Sequence, residues 1–322
     1  MIRGKEGKAF CSFADTVYLS IVNSTQALLY FDRYDGRLKS EGIYGEKPLR
    51  WAYETMIGRI CLEAIIKKRW FSRLYGRWAD STISRKEIAP FLRRFGVDST
   101  EFLNSPESFR TFNEFFYRRL KPEARPVAAG EKTVIFPADG RHFFIPDLSR
   151  ESTLYAKGQR FDLTGLLGDA TLAERFAQGS AILSRLCPTD YHRFHFPIGG
   201  TCGDPKLING SLYSVNPIAL SRQLGYIIEN KRRITVVKHA ALGEYLFLEI
   251  GATNVGSIVD TCKGGESVAK GAEKGYFRFG GSMIITLFPP GTLDPAPDLA
   301  EQSSNGVELY ARFGDRMGSL RV

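Results

Sequence analysis

Long apolar runs are missing from this sequence. No window reaches eighteen uninterrupted apolar residues, so no transmembrane helix is expected. Cysteine is scarce. Cys11, Cys61, Cys187, Cys202 and Cys262 are odd in number and never spaced C-x-x-C. That argues against a disulfide framework and a cysteine-based zinc site, and for a reducing compartment. The mildly apolar stretch from Ala9 to Val22 carries Asp15 and lacks a clear cleavage site, so a signal peptide is not expected. There is no internal repeat and no low-complexity tract. What is present is ordinary soluble-protein composition: 322 residues, 43% hydrophobic and 25% charged, enough for one large core or two modest ones.

Charge is unevenly placed. Residues 1–125 hold 23 Lys and Arg against 15 Asp and Glu, a net +8; residues 126–322 hold 21 against 20, a net +1. After an irregular lead-in over residues 1–48, Pro48 suits the first turn of a helix whose Leu49, Tyr53, Met56, Ile57, Ile60 and Ala64 fall on one face. In the following helix Trp70, Phe71, Leu74, Tyr75 and Trp78 share a face edged by Arg69, Arg73 and Arg77. Arginine stems on apolar surface with outward heads suit a helix lying among lipid headgroups; a core-facing aromatic stripe with a solvated basic flank is the plainer alternative. No nucleic-acid motif accompanies the charge. Ser84 to Glu87 reads as a capping box ahead of Ile88, Phe91, Leu92 and Phe95, with a kink at Pro90 and Gly96 as the stop. One more helix is expected over 107–120, and Lys121 to Pro126 then marks a domain boundary.

From Pro126 onward short strand-like runs alternate with Gly, Pro and Asn turns: Thr133 to Phe136, Ile182 to Leu186, Ser211 to Val215, Ile234 to Lys238, Tyr245 to Ile250. The one helix expected here spans Thr171 to Phe176. The predicted fold is therefore α+β: N-terminal amphipathic helices followed by an antiparallel β-rich, barrel- or sandwich-like core.

Three stretches carry polar residues where strands do not supply them. Asp139 sits in Phe136-Pro137-Ala138-Asp139-Gly140, where a turn former is the simple reading. His192 and His195 lie three apart among aromatics in Asp190-Tyr191-His192-Arg193-Phe194-His195, where two structural histidines would be unremarkable. Gly280-Gly281-Ser282 interrupts a strand-like run from Phe277 to Phe288, in the manner of a bulge or a close backbone approach. A zinc site from His192, His195 and Asp139 lacks helical spacing and a neighbouring general-base Glu. A Ser-His-Asp hydrolase is possible by inventory, but Gly-Gly-Ser is not a G-x-S-x-G elbow.

Taken together and in this order, the three stretches resemble the phosphatidylserine decarboxylase family. The likeness extends from about Tyr30 to the C-terminus. It includes Phe112-Asn113-Glu114-Phe115-Phe116, Val215-Asn216-Pro217, the run from Gly251 to Ile258, Lys270-Gly271 and Phe279-Gly280-Gly281-Ser282. Met283 departs from it, standing where the family commonly has Thr. The resemblance implies a proenzyme in which residues 126–322 form a catalytic domain that cleaves itself between Gly281 and Ser282. His195 would take the Ser282 proton, with Asp139 orienting the imidazole, and Ser282 would become a covalent pyruvoyl cofactor. That group would form a Schiff base with phosphatidylserine and lose carbon dioxide, with His192 working on the substrate. No metal and no nucleic acid are implied. Processed two-chain protomers would pair as homodimers on the cytoplasmic face of a bacterial membrane, held by residues 1–125. Two alternatives stay open at this point: the same chemistry on a soluble, for example aromatic, amino acid, or a non-processing lipid-binding relative.

Overall fold

The computed structural model describes residues 28–151, 162–253, 258–280 and 282–321. Gly281 and the stretches at 9–22 and 254–257 lie outside the described residues.

The strand Ser282–Phe288 organises the fold. Met283-Ile284-Ile285-Thr286-Leu287-Phe288 is an almost unbroken apolar run, and every residue of this strand is buried. That is the signature of a strand covered on both faces. Alternate side chains serve different layers. Met283, Ile285 and Leu287 pack with the helical side, against Tyr53, Leu62, Leu166 and Phe176. Ile284 and Phe288 pack on the opposite side, with Phe194, Phe277 and Met317. The departing residue Met283, 2% exposed, is thus a core residue on the helical face.

The large sheet runs in the order Ser267–Val268, Gly200–Cys202, Arg232–His239, Gly243–Gly251, Ser282–Phe288, Ser180–Leu186, Gly140–Ile145, Glu308–Ala311, Leu29–Asp32, Arg37–Ser40. Lys206–Ile208 joins it beside Arg232–His239. Pairing is antiparallel except where Leu29–Asp32 lies parallel to Glu308–Ala311. Two three-stranded sheets, one containing Arg193–His195 and Glu273–Phe277, lie off this path. The α+β class holds. The barrel does not close: the sheet ends in two separate edges, and a layered core takes the place of a closed one.

Several local expectations change. Residues 29–40, expected to be irregular, form a hairpin that extends the large sheet, so residues on both sides of Arg125 share it. The helix expected from Pro48 onward is broken at Thr55, whose hydroxyl accepts from Gly58 N–H and caps a second helix, Met56–Cys61. Its apolar face does not point inward as one stripe, since Met56, Ile57 and Ile60 are 73%, 68% and 60% exposed. Ser84 does not cap: its Oγ accepts the Phe112 N–H at 2.8 Å, a tertiary contact. Pro90 sits in the first turn of Ile88–Phe95, where a missing N–H costs nothing and imposes no kink. Gly96 ends that helix at φ 61°, as expected. The helix expected over 107–120 shrinks to Phe112–Phe116, because Thr111 caps it from within by accepting from Glu114 N–H.

This short helix anchors an aromatic cluster with Phe91, Phe102, Phe109, Phe115 and Phe116, and into it the β-rich part inserts Phe279. The Phe279 ring lies 4.9 Å from both Phe112 and Phe116 and stacks on Tyr75 at 5.5 Å. The helical layer therefore grips the chain three residues before Ser282.

Candidate active site

The chain leaves one sheet at Phe277 and enters another at Ser282, and residues 278–280 lead from the first towards the second. Both ends of the crossing are tied to the histidine segment. Phe277 N–H donates to the His192 carbonyl at 2.9 Å. Ser282 pairs with Leu186 on one side and Gly251 on the other. From Leu186 the chain turns directly into Asp190-Tyr191-His192, with the Asp190 carboxylate accepting the Cys187 N–H at 2.7 Å. Within the crossing, Phe279 N–H donates to Asn113 Oδ1 at 2.7 Å, while Asn113 Nδ2 donates to Asp80 at 2.8 Å. Gly280 has φ 141°, a conformation side-chain-bearing residues avoid. In the sequence Asn113 stands out only as part of a family likeness; in the structure it fixes the crossing. Asn113→Ala leaves the buried Phe279 amide unsatisfied, at a cost of about 1–3 kcal/mol. We expect slower, incomplete cleavage at residue 282, read as the fraction of intact chain by electrophoresis.

Ser282 is fully buried, and its Oγ has no hydrogen-bond partner. His192 is fully buried; its Nδ1 lies 3.0 Å from the Asp190 carbonyl and its Nε2 has no partner. A carbonyl can only accept, so Nδ1 carries the proton and Nε2 presents a lone pair. The ring rests on Phe116 at 3.9 Å. His195 lies between Phe313, stacked at 3.6 Å, and Tyr191 at 5.8 Å, and its Nδ1 is buried without a partner. Its backbone N–H donates to Pro137 O at 2.8 Å, which brings the Asp139 turn alongside.

Asp139, 2% exposed, is held differently from the orienting contact expected of it. Its Oδ2 accepts from Arg125 Nη2 at 2.7 Å and its Oδ1 from the Phe313 N–H at 2.8 Å. Its link to His195 therefore runs through Phe313, whose amide it fixes and whose ring covers the imidazole. The next residue, Gly140, begins a strand, and a Cβ there would meet the Arg185 carbonyl at 2.6 Å. Among the described residues no three His, Cys, Asp or Glu side chains converge as a metal-binding set.

Beneath these residues lies a charged layer that sequence reasoning missed. Arg185 Nη2 and Arg141 Nε reach Glu41, and Arg141 Nη1 binds Asp190 at 2.5 Å. The Arg185 and Arg141 charges hold the Glu41 carboxyl down at about 2 against the opposing effect of burial. The available signal was a lone Arg185 inside the apolar run from Ile182 to Leu186. An apolar cavity of about 330 Å³ opens beside this layer, walled by Tyr44, Phe71, Tyr75, Leu186, Phe279 and Gly280.

Burial pushes His142, His192 and His195 down to about 3 from 6.5, so all three are neutral bases at physiological pH. Because the unfolded chain binds these protons below pH 6.5 and the folded one does not, stability is present above 6.5 and lost as pH falls towards 3. Each histidine contributes up to about 1.4 kcal/mol per pH unit. Glu249, raised by burial to about 7 from 4.5, works in the opposite sense between those values and offsets one histidine of three. Thermal melts from pH 7 to 4 should show a falling midpoint.

The residues just described coincide with a family pattern. The family model described as phosphatidylserine decarboxylase matches residues 112–319, the span that carries Asn113, Asp139, both histidines and Ser282. The chain belongs to the phosphatidylserine decarboxylase family. A relative from Chlamydia muridarum, called phosphatidylserine decarboxylase proenzyme, is 41% identical over 294 residues, 91% of this chain and 98% of its own. Proteins of the same name from Clostridium kluyveri and Clostridium botulinum are 41% and 40% identical, covering 90% and 91% of this chain and 98% and 99% of theirs. The likeness thus takes in the helical layer as well as the sheet.

Proposed function

We propose that the chain is a self-processing proenzyme whose mature form decarboxylates phosphatidylserine to phosphatidylethanolamine. The observation that carries this reading is the unpartnered, fully buried Ser282 hydroxyl at the head of a core strand, directly after a crossing fixed at Phe279.

Ser282 Oγ attacks the Gly281 carbonyl carbon and gives its proton to His195. The peptide C–N bond breaks and the residue 282 nitrogen takes up a proton, leaving an ester. Loss of the Ser282 Cα proton breaks the Cβ–O bond and frees Gly281 as the carboxylate end of a 281-residue chain. Water then replaces the nitrogen at residue 282, releasing ammonia, and a 41-residue chain begins with a pyruvoyl group. The orphaned Ser282 hydroxyl and the two buried imidazole nitrogens without partners fit this chemistry. When formed, the group supplies an electrophilic carbonyl for the substrate amine and an electron sink for loss of carbon dioxide. His192, its proton fixed on Nδ1, presents an Nε2 lone pair that can take a proton from the substrate ammonium and hand it back to the substrate Cα. Phe116, Phe279 and the apolar cavity exclude water from the site.

A lipid substrate is supported by the surface of the helical layer. Trp51, Met56, Ile57, Ile60, Ile65, Trp70 and Leu74 are all exposed, by 41% to 73%, and basic residues flank them. That combination favours peripheral attachment to an anionic membrane. Changing Ile57 and Ile60 together to Glu should release the protein from phosphatidylserine vesicles in a flotation assay, with cleavage intact.

The decisive test is intact mass and turnover of the purified protein. Chains of 281 and 41 residues, with activity on phosphatidylserine and none on free amino acids, are expected. Turnover of a free aromatic amino acid with indifference to vesicles would favour the soluble alternative. An uncleaved chain with unmodified Ser282 would leave only a non-processing relative.

A further inference from the structure

Phe279 walls a second cavity, of about 370 Å³, which it shares with Asn113 and Asp80 from the contacts that fix the crossing. Helix Arg69–Ala79 separates its functions by face. Phe71 and Tyr75 line the apolar cavity, whereas Arg69, Arg73 and Arg77, at helical i, i+4, i+8 spacing, line the second. Trp70 and Leu74 project to solvent between these two faces, 51% and 53% exposed. From the β-rich part come Lys231 and Arg278. Five cations thus meet around one hollow. Among the described residues the one carboxylate on its wall is Asp80, already engaged by Arg278 and Asn113. Mutual repulsion is evident at Lys231, which burial and the nearby Arg69, Arg233 and Arg73 charges push below the usual lysine range.

We propose that this cavity is the subsite for the phosphodiester of the phospholipid substrate. The inference rests on the lipid reading given above and adds to it where the headgroup charge is taken. Cations in a concave site with one engaged carboxylate suit a compact, doubly oxygenated anion, and arginine binds phosphate oxygens in pairs. The place is chemically apt. In a serine phospholipid the amine is a few bonds from phosphorus, and the cavity wall includes Arg278 and Phe279, a short way along the chain from Ser282. The apolar cavity across Phe279 then receives the glycerol and upper acyl region. With Trp70 and Leu74 in the lipid, the arginine edge of the same helix lies at headgroup depth, so a lipid leaving the bilayer meets its phosphate site first.

The test uses Arg73→Gln, from the helix, and Lys231→Gln, from the β-rich part, with Arg73→Lys and Lys231→Arg as charge-keeping controls. Cleavage is checked first by mass. On a short-chain phosphatidylserine below its micelle concentration, which removes membrane binding from the measurement, each Gln variant should raise KM about tenfold with kcat within about twofold. The controls should recover most of the loss. Glycerophosphoserine should compete with substrate in the native enzyme and bind more tightly than inorganic phosphate. Unchanged KM in both Gln variants, a fall in kcat at constant KM, or tighter binding of inorganic phosphate would each overturn the proposal. Titrating glycerophosphoserine into the uncleaved Ser282→Ala chain keeps the two readings apart. Binding that Arg73→Gln abolishes upholds the subsite even if the native protein fails to decarboxylate lipid, and absence of binding sinks it even if lipid is turned over.

Discussion

A Ser282→Ala chain remains a single polypeptide of 322 residues and releases no carbon dioxide from phosphatidylserine above the uncatalysed level. Both losses follow from one residue, because in the proposed mechanism Ser282 Oγ is the attacking group in maturation and residue 282 supplies the ketone for turnover. The fold should survive. Ser282 is fully buried with an unpartnered hydroxyl, and such a group carries a desolvation cost of about 1–3 kcal/mol that alanine removes. The melting temperature of the variant should therefore match or exceed that of an uncleaved native sample. This pairing of total functional loss with undiminished stability separates a chemical role from a packing one. A clipped Ser282→Ala protein, cut by itself at 281, would end the proposed mechanism.

Much of this site was legible because its chemistry is local in sequence. His192 and His195 share one segment, and Gly280 to Ser282 break a strand with residues a strand does not select. The family likeness then put Asp139 beside them. What could not be read were partners far away in the chain. Arg125 reaches Asp139 across 14 positions, Asn113 reaches Phe279 across 166 and Glu41 reaches Arg185 across 144. In the helical layer, local rules were overruled by packing. Ser84 was drawn from a cap into a contact with Phe112 N–H, and a helix expected over 107–120 contracted around the aromatic cluster. The hairpin at 29–40 was missed for the opposite reason: Leu29 and Leu38 are exposed, 50% and 52%, so no buried periodicity marks those strands.

Arg125→Met is expected to be the most damaging substitution outside the reacting residues. Both partners are nearly sealed from water, with side-chain exposures of 9% for Arg125 and 3% for Asp139. Removing the guanidinium leaves the Asp139 carboxylate buried with the Phe313 N–H as its remaining hydrogen bond at 2.8 Å, and leaves Glu101 with only its longer pairing to Arg312 at 3.7 Å. Losing one member of a buried pair costs about 3–5 kcal/mol. The damage should also reach the chemistry, since Asp139 fixes Phe313 and Phe313 covers the His195 ring at 3.6 Å. We therefore expect a melting temperature lowered by many degrees together with slow cleavage at residue 282. Asp139→Asn separates the two effects. Its Oδ1 still accepts the Phe313 amide, but the negative charge is gone. Adding Asp139→Asn to Arg125→Met should recover stability, because no uncompensated charge is left inside, and should leave cleavage impaired if the carboxylate acts on His195 by charge. Equal recovery of stability and cleavage would instead assign Asp139 a purely structural role, fixing Phe313 against the imidazole.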